Sequence, residues 1–399
     1  MTQRTTFEST LGGYLMHHKI TKSTIFFQDL LGSYFQRMRQ QVIETLLLLC
    51  VCHLFGLYNP NQVADALKLP KARLYRSLGS LSLYHSKCLN LRLGCAMAVD
   101  FIKETESKSA STQSRRCITI SVDDSNLPRE AETLSYCSNY YSTKHNTAIW
   151  CQNILGITLK CGDHVLPLDM RLASKQGRGN TDKPTLVITM LKEVLAVFDT
   201  HGIDLRKYPI TFDSWYASRK LVETLSELGF TSIVIHGKNN FVMTIGETKA
   251  KLSAHKKNIE LHEDKWGCDK PVYRAKAVSP TFGECIVIFF RDRGKIRTLL
   301  VFGKPLRASE AMRIWSQHHG IEQFWRHLKS NLHVSAMSLQ SREGAYVSLG
   351  IKVISYLMLL QISLSERRTF HQIQLQLTGE RQTLTDFITH FHTITPKEP

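Results

Sequence analysis

Acidic residues are scarce in this chain. Against 34 Asp and Glu stand 51 Lys and Arg, a formal surplus of +17 over 399 residues. Such a balance favours a polyanionic partner, either nucleic acid or an anionic membrane. Paired cysteine motifs are missing too. The ten cysteines, at 50, 52, 88, 95, 117, 137, 151, 161, 268 and 285, include no Cys-x-x-Cys, so neither a zinc site nor a disulfide framework is indicated. Cys50-Val-Cys52-His53 lies inside an apolar run, where buried thiols are the ordinary outcome. Long, clean hydrophobic stretches are few. Residues 45–54 are too short to span a bilayer; residues 345–364 are long enough but carry Lys352, Ser355 and Gln361 and read as a core helix. Residues 1–13 lack the basic-then-apolar pattern of a secretion signal. No internal repeat or low-complexity tract occurs. The expectation is a soluble, reduced protein of the cytoplasm, with no membrane partner and with nucleic acid as the remaining explanation of its charge.

What is present is ordinary globular material: 43% apolar and 21% charged residues, enough for a real core and about two domains. Residues 1–112 read as helical, with apolar positions at helical spacing through 42–57 and 89–101. Residues 104–116, polar and without periodicity, read as a linker. Alternation at Ile118, Ile120 and Val122 then marks a half-buried strand. Residues 147–160 and 164–172 follow as two strands joined by a Gly162-Asp163 turn. Helix 184–198, strand 210–212, helix 215–228 and strand 232–235 complete an α/β pattern. The stretch 238–307 reads as purely β, with strands expected at 241–245, 272–278, 285–290 and 297–302. Helices return from 309, with a C-terminal tail over 363–399.

Three acids occupy special places. Asp123 ends the first strand of the α/β region, and Asp213 ends a later one in Phe212-Asp-Ser-Trp-Tyr216. Side chains at the carboxyl ends of strands in an open α/β sheet face the ligand crevice. Glu322 lies on a predicted helix. At about 100° per residue, Trp315, His318, Glu322 and Lys329 fall within roughly 60° of one another. Ile321, Trp325 and Leu328 would form the adjoining apolar stripe. Clustered carboxylates suit hard divalent cations, and two such ions can stabilise the attacking and leaving oxygens of an in-line displacement at phosphorus. Phosphodiester chemistry also fits the basic surplus.

These segments resemble the bacterial insertion-sequence transposases of the DDE type, specifically the IS-four kind. Asp123-Asp124-Ser125 is similar to the family's first motif, Phe212 to Tyr216 to its second. The third, Tyr-x2-Arg-x3-Glu-x6-Lys, is filled by Trp315, His318, Glu322 and Lys329, with Trp in place of Tyr and His in place of Arg. The resemblance covers about residues 117–362. It implies an RNase H-like catalytic domain over 113–362 carrying an inserted β subdomain at 238–307. It implies a Mg²⁺- or Mn²⁺-dependent reaction with two ions, in which water cleaves the element's ends and the freed 3′-hydroxyl attacks target DNA. Asp123, Asp213 and Glu322 would be the metal ligands, with Asp124 the rival to Asp123. Lys329 would clamp a phosphate, and His318, Trp315 and Arg326 would contact DNA. Trp266, the one tryptophan of the insertion, is a candidate for stacking on a displaced base. Terminal inverted repeats and target DNA would be the partners, and paired ends suggest a homodimer.

Residues 62–78 resemble a helix-turn-helix. Val63, Ala66, Leu67, Leu69, Leu74 and Leu78 would face inward, and Pro70 would start a second helix displaying Lys71, Arg73, Tyr75 and Arg76 to the major groove. A plain helical hairpin is the alternative. The loop 175–180 is a further candidate for backbone contacts. Two other functions stay open: a metal-dependent nuclease that cuts without joining, and a non-catalytic DNA-binding regulator.

Overall fold

A computed structural model of the protein describes residues 2–36, 38–109, 118–131, 133–142, 145–174, 182–264, 268–337, 339–379 and 384. Five helices open the chain: α1 (Thr2–Tyr34), α2 (Gln40–Leu54), α3 (Pro60–Leu67), α4 (Lys71–Gly79) and α5 (Leu83–Ser109). Strands β1 (Ile118–Pro128), β2 (Cys137–Ser142), β3 (Thr147–Cys161) and β4 (His164–Ala173) follow. Then come α6 (Lys183–Thr200), β5 (Ile210–Phe212), α7 (Arg219–Glu227) and β6 (Ser232–His236). The next stretch holds β7 (Val242–Ile245), β8 (Thr248–Lys251), α8 (Leu252–Asn258), β9 (His262–Asp264), β10 (Cys268–Ser279), β11 (Gly283–Asp292) and β12 (Lys295–Gly303). Helices α9 (Ala308–Arg326), α10 (Arg342–Glu366) and α11 (Phe370–Gly379) close the described part.

The α/β class is as expected, and the strands form one large mixed sheet. Among the described residues it is twelve-stranded, in the order β2-β3-β1-β5-β6-β12-β11-β10-β7-β8, with β4 on β3 and β9 on β10. β1 runs antiparallel to β3 but parallel to β5, and β5 parallel to β6. Around β1 the order β4-β3-β1-β5-β6 is consistent with an RNase H-like core. The strands after β6 continue this same sheet, because β12 pairs antiparallel with β6.

Several expected boundaries differ. β1 does not stop at Asp123: its pairing with β3 continues to Pro128, because Asp124 and Asn126 find side-chain partners on β3 and keep the strand extended. Residues 104–109 belong to α5 rather than to a linker, and 110–117 lie outside the described residues. The segment 238–307 is not purely β, since it contains α8. Trp215 precedes α7 instead of starting it; Ser218 caps that helix by accepting from the Leu221 amide, so the helix begins beyond the cap. α10 crosses the expected limit at 362 and runs to Glu366, where an αL residue, Arg367, ends it; its last buried residue is Ile362. Trp266, the loop 175–180 and most of 380–399 lie outside the described residues.

The helical N-terminus and the sheet share one apolar core. α5 lies on β4 and α10, and α10 also packs on α2. Leu46, Leu47, Leu49 and Leu54 of α2 are fully buried, worth about 1.5–3 kcal/mol each before entropy is counted. Gly94 permits the closest approach: a Cβ there would lie 1.8 Å from the Pro167 carbonyl oxygen. α10 is long and apolar enough to cross a membrane, but 83% of its apolar stretch is buried inside the protein, as a core helix requires.

Candidate active site

Sheet register brings the first two acids together. Val122 pairs with Phe212 and Phe212 with Ile235, so the next residues, Asp123, Asp213 and His236, lie side by side on one face. Strands stand roughly 4.8 Å apart in this direction. Gly156 faces Asp123 from β3. α9 covers this face, with Trp325 against Gly156: a Cβ there would meet the Trp325 ring at 2.9 Å. Ile321, Trp325 and Leu328 are buried, as the expected stripe requires. Their anchoring presents Glu322 to the strand ends.

Asp213 and Glu322 line one cavity of about 890 Å³ together with His236, Trp315, His318 and His319; Lys270, Arg293, Arg297 and Arg313 line it as well. Asp123 sits behind them, partly open to solvent. Burial raises its pKa to about 7, followed by the Asp124 carboxylate and then by Asp213 and Glu322; the Asp124 backbone amide works in the opposite direction. Burial and neighbouring carboxylates thus disfavour the charged form of Asp123, a cost that a bound cation would relieve. The acids are gathered but not closed: among the described residues no three His, Cys, Asp or Glu already stand as a ligand cluster. Glu322 instead accepts from His319 Nδ1 at 2.7 Å on an exposed helix face, a contact worth little in water.

Asp124 has another role. Strand alternation turns it to the opposite face, where it accepts from Asn153 Nδ2 (2.5 Å), Lys183 Nζ (2.8 Å) and the Tyr216 hydroxyl. Lys183 also stands 4.5 Å from the exposed Trp215 ring. These three donors tie Asp124 to β3, α6 and the segment before α7. The pattern around Tyr216 contained part of this network; Asn153 and Lys183 carry no local signal, because their contacts depend on register and on where α6 begins.

The helix motif is altered in two ways. His318 is buried, and burial lowers its pKa to about 4 despite the opposing pull of Glu322 and Asp213, so it is neutral at pH 7. Its ring stacks on Trp315 at 4.9 Å and 9°, and Trp315 also stacks with His236 at 5.5 Å. The second change concerns Lys329. The α-helix ends at Arg326, and His327–Asn331 winds as a π turn, so the even angular step assumed through residue 329 fails there. Lys329 and Arg326 are exposed beyond the cavity.

In the N-terminal region α3 and α4 form the expected helix pair. Asn59 caps α3 by accepting from the Gln62 amide, and Lys68 adopts the αL conformation usually left to glycine. Val63, Leu74 and Leu78 are buried, Leu67 and Leu69 half-buried, and Ala64 replaces Ala66 on the inner face; Ala66 is exposed. Lys71, Arg73, Tyr75 and Arg76 are exposed as expected, Lys71 pairing with Asp65 at 2.9 Å.

The structure defines an α/β protein in which a mixed sheet carries an acidic crevice at its parallel strand ends, covered by a Glu-bearing helix. The particular family follows from comparison: the family model "Transposase DDE domain" matches residues 120–358, more than half of the chain, and the chain belongs to that family. Comparison with curated proteins finds no match. The family is that of transposases, which act on DNA and generally use divalent metal ions.

Proposed function

We propose that this chain is a transposase of the IS-four kind that cleaves the ends of its element and joins the 3′-hydroxyl to target DNA. The observation that carries the reading is the convergence of three acids from separate parts of the chain: register sets Asp123 beside Asp213 at neighbouring strand ends, and Asp213 shares a cavity with Glu322 of α9. An all-oxygen donor set with surplus negative charge suits Mg²⁺ or Mn²⁺. Asp123, Asp213 and Glu322 would hold two such ions, which when bound polarise the phosphate and ready the attacking oxygen.

The chain's own residues do the rest. Lys270, Arg293, Arg297 and Arg313 around the cavity offer positive charge to a phosphodiester backbone led to the acids. Trp315, held by His236 and His318, gives an aromatic surface beside them, while His318, being neutral, contributes no cation. Arg326, the last residue of α9, and Lys329 beyond it extend the DNA track. The division of labour is end reading by residues 1–112, chemistry by 113–362 with the strands of 238–307 flanking the cavity, and a tail over 363–399. The active species is a homodimer holding two ends at the cytoplasmic nucleoid.

The test is incubation with labelled end DNA and Mg²⁺, comparing wild type with Asp123→Asn, Asp213→Asn and Glu322→Gln. Each variant is expected to bind DNA while neither cutting nor joining it. Full activity in one of them removes that residue from the site; cutting without joining in the wild type replaces the transposase reading by a nuclease.

A further inference from the structure

The first turn of α2 and the side of α4 that faces it enclose a separate cavity of about 510 Å³. Arg39, Arg73 and Arg76 line it, with Ser77 and Ser80 beside them, and no carboxylate does. Three guanidinium groups around one opening repel one another unless an anion lies between them. Arg39 and Arg73 make no ion pair among the described residues, and the Arg76 side chain spends its Nε on the helix's own Ala72 carbonyl. Arg39 also starts α2 without giving it a side-chain cap, so the partial positive charge of that helix end adds to the same field. On α4, residues 70, 73, 76, 77 and 80 fall on one side, turned toward α2, whereas Tyr75 lies away from it.

We propose that this cavity is a phosphodiester-binding clamp for the DNA backbone, in which Arg39 from α2 closes on Arg73 and Arg76 from α4. It rests on the reading of the N-terminal helices as a DNA-binding region and changes the work done there. Arg73 and Arg76, facing α2, grip backbone phosphate rather than read base edges. Arginine suits this because its fork matches two phosphate oxygens at once. Contacts of this kind position a duplex without carrying sequence information. The clamp therefore acts equally on element ends and on unrelated DNA.

The experiment measures binding of the full chain, across a salt series, to a labelled end duplex and to an unrelated duplex of equal length. Arg39→Ala is expected to weaken both by the same factor and to reduce the slope of log affinity against log salt by about 1, the loss of one phosphate contact. Arg39→Lys should recover part of the affinity, and circular dichroism should confirm folding of both variants. An unchanged slope in Arg39→Ala overturns the clamp while leaving DNA binding intact. Loss confined to the end duplex overturns it as well, since that marks base reading. A wild type that binds neither duplex fails the underlying DNA-binding reading, and the clamp with it. Inorganic pyrophosphate serves as the free-anion arm: its binding at Arg39 without any change in DNA salt slope assigns the cavity to a small anion and overturns the DNA assignment.

Discussion

Replacing Lys352 with methionine should stabilise the protein at pH 6 and do so much less at pH 9. Lys352 lies in the middle of α10, fully buried, with its ammonium donating to the Tyr58 carbonyl at 3.0 Å and standing 5.0 Å from the Tyr58 ring. Among the described residues it has no carboxylate partner within ion-pair distance. Burial lowers its pKa from 10.5 to about 7, with Cys50 opposing. Between these values the unfolded chain binds a proton that the folded chain does not, so stability rises with pH through the window 7 to 10.5. At about 1.4 kcal/mol for each tenfold in the protonation equilibrium, the gain between pH 6 and pH 9 is about 2.7 kcal/mol. Methionine fills similar volume and does not titrate. The lost hydrogen bond to Tyr58 costs about 1 kcal/mol at either pH and largely cancels in the comparison. Urea unfolding of both proteins at the two pH values measures the difference directly. An advantage for methionine that is equal at pH 6 and pH 9 would refute the buried, titrating lysine.

Gly94→Ala should push α5 off β4, because the new Cβ meets the Pro167 oxygen at 1.8 Å; a loss of about 3 kcal/mol is expected, read as a lower thermal midpoint, and a neutral result would deny the close approach. Mg²⁺ binding should release a proton from Asp123, so affinity by calorimetry should fall close to tenfold for each pH step below about 7 and level off above it; a flat profile from pH 5.5 to 8 (a range of about two and a half logs around the group's titration) counts against Asp123 as a ligand.

Legibility from sequence divides along physical lines. The strands around β1, the apolar stripe Ile321, Trp325 and Leu328, and the prospect of acids meeting at strand ends were readable, since period and local composition determine them. In the sequence, Asp123 is preferred over Asp124 by the Asp-x-Ser spacing to Ser125 and by strand phase. The structure adds a trio of donors on Asp124, two of which, from Asn153 and Lys183, lie far away in sequence. His318 was legible as a motif position but not as a buried, neutral ring, because its burial comes from Trp315 and the sheet beneath. The π turn at His327–Asn331 departs from a constant angle per residue, so the position of Lys329 relative to Glu322 is not the one that regular helical spacing gives. Arg39 lay outside every motif; only the packing of α2 against α4 joins it to Arg73 and Arg76.

The acids are coupled yet not closed, and the seating of α9 explains how they can close. Below Asp123 and Asp213 on the same face lie Ser121, Thr211 and Thr158, paired across three strands by register. Their hydroxyls have no hydrogen-bond partner among the described residues, nor do Gln317 Oε1, His318 Nδ1 and Trp325 Nε1 on α9. A helix seated on unmatched polar groups is held less firmly than one on a wholly apolar floor. Drawing Glu322 from His319 toward Asp123 and Asp213 would then move α9 and leave the hydrogen-bonded sheet in place. Hydrogen exchange should report this. With Mg²⁺ at about 100 times its dissociation constant, binding contributes about 2.7 kcal/mol, enough to slow amide exchange on α9 roughly 100-fold if opening of that helix releases the ion. β1 amides should change far less, because their opening is already limited by the sheet, and Asp213→Asn should abolish the effect. Equal α9 exchange with and without bound Mg²⁺ would show instead that Glu322 takes no part in holding the ion.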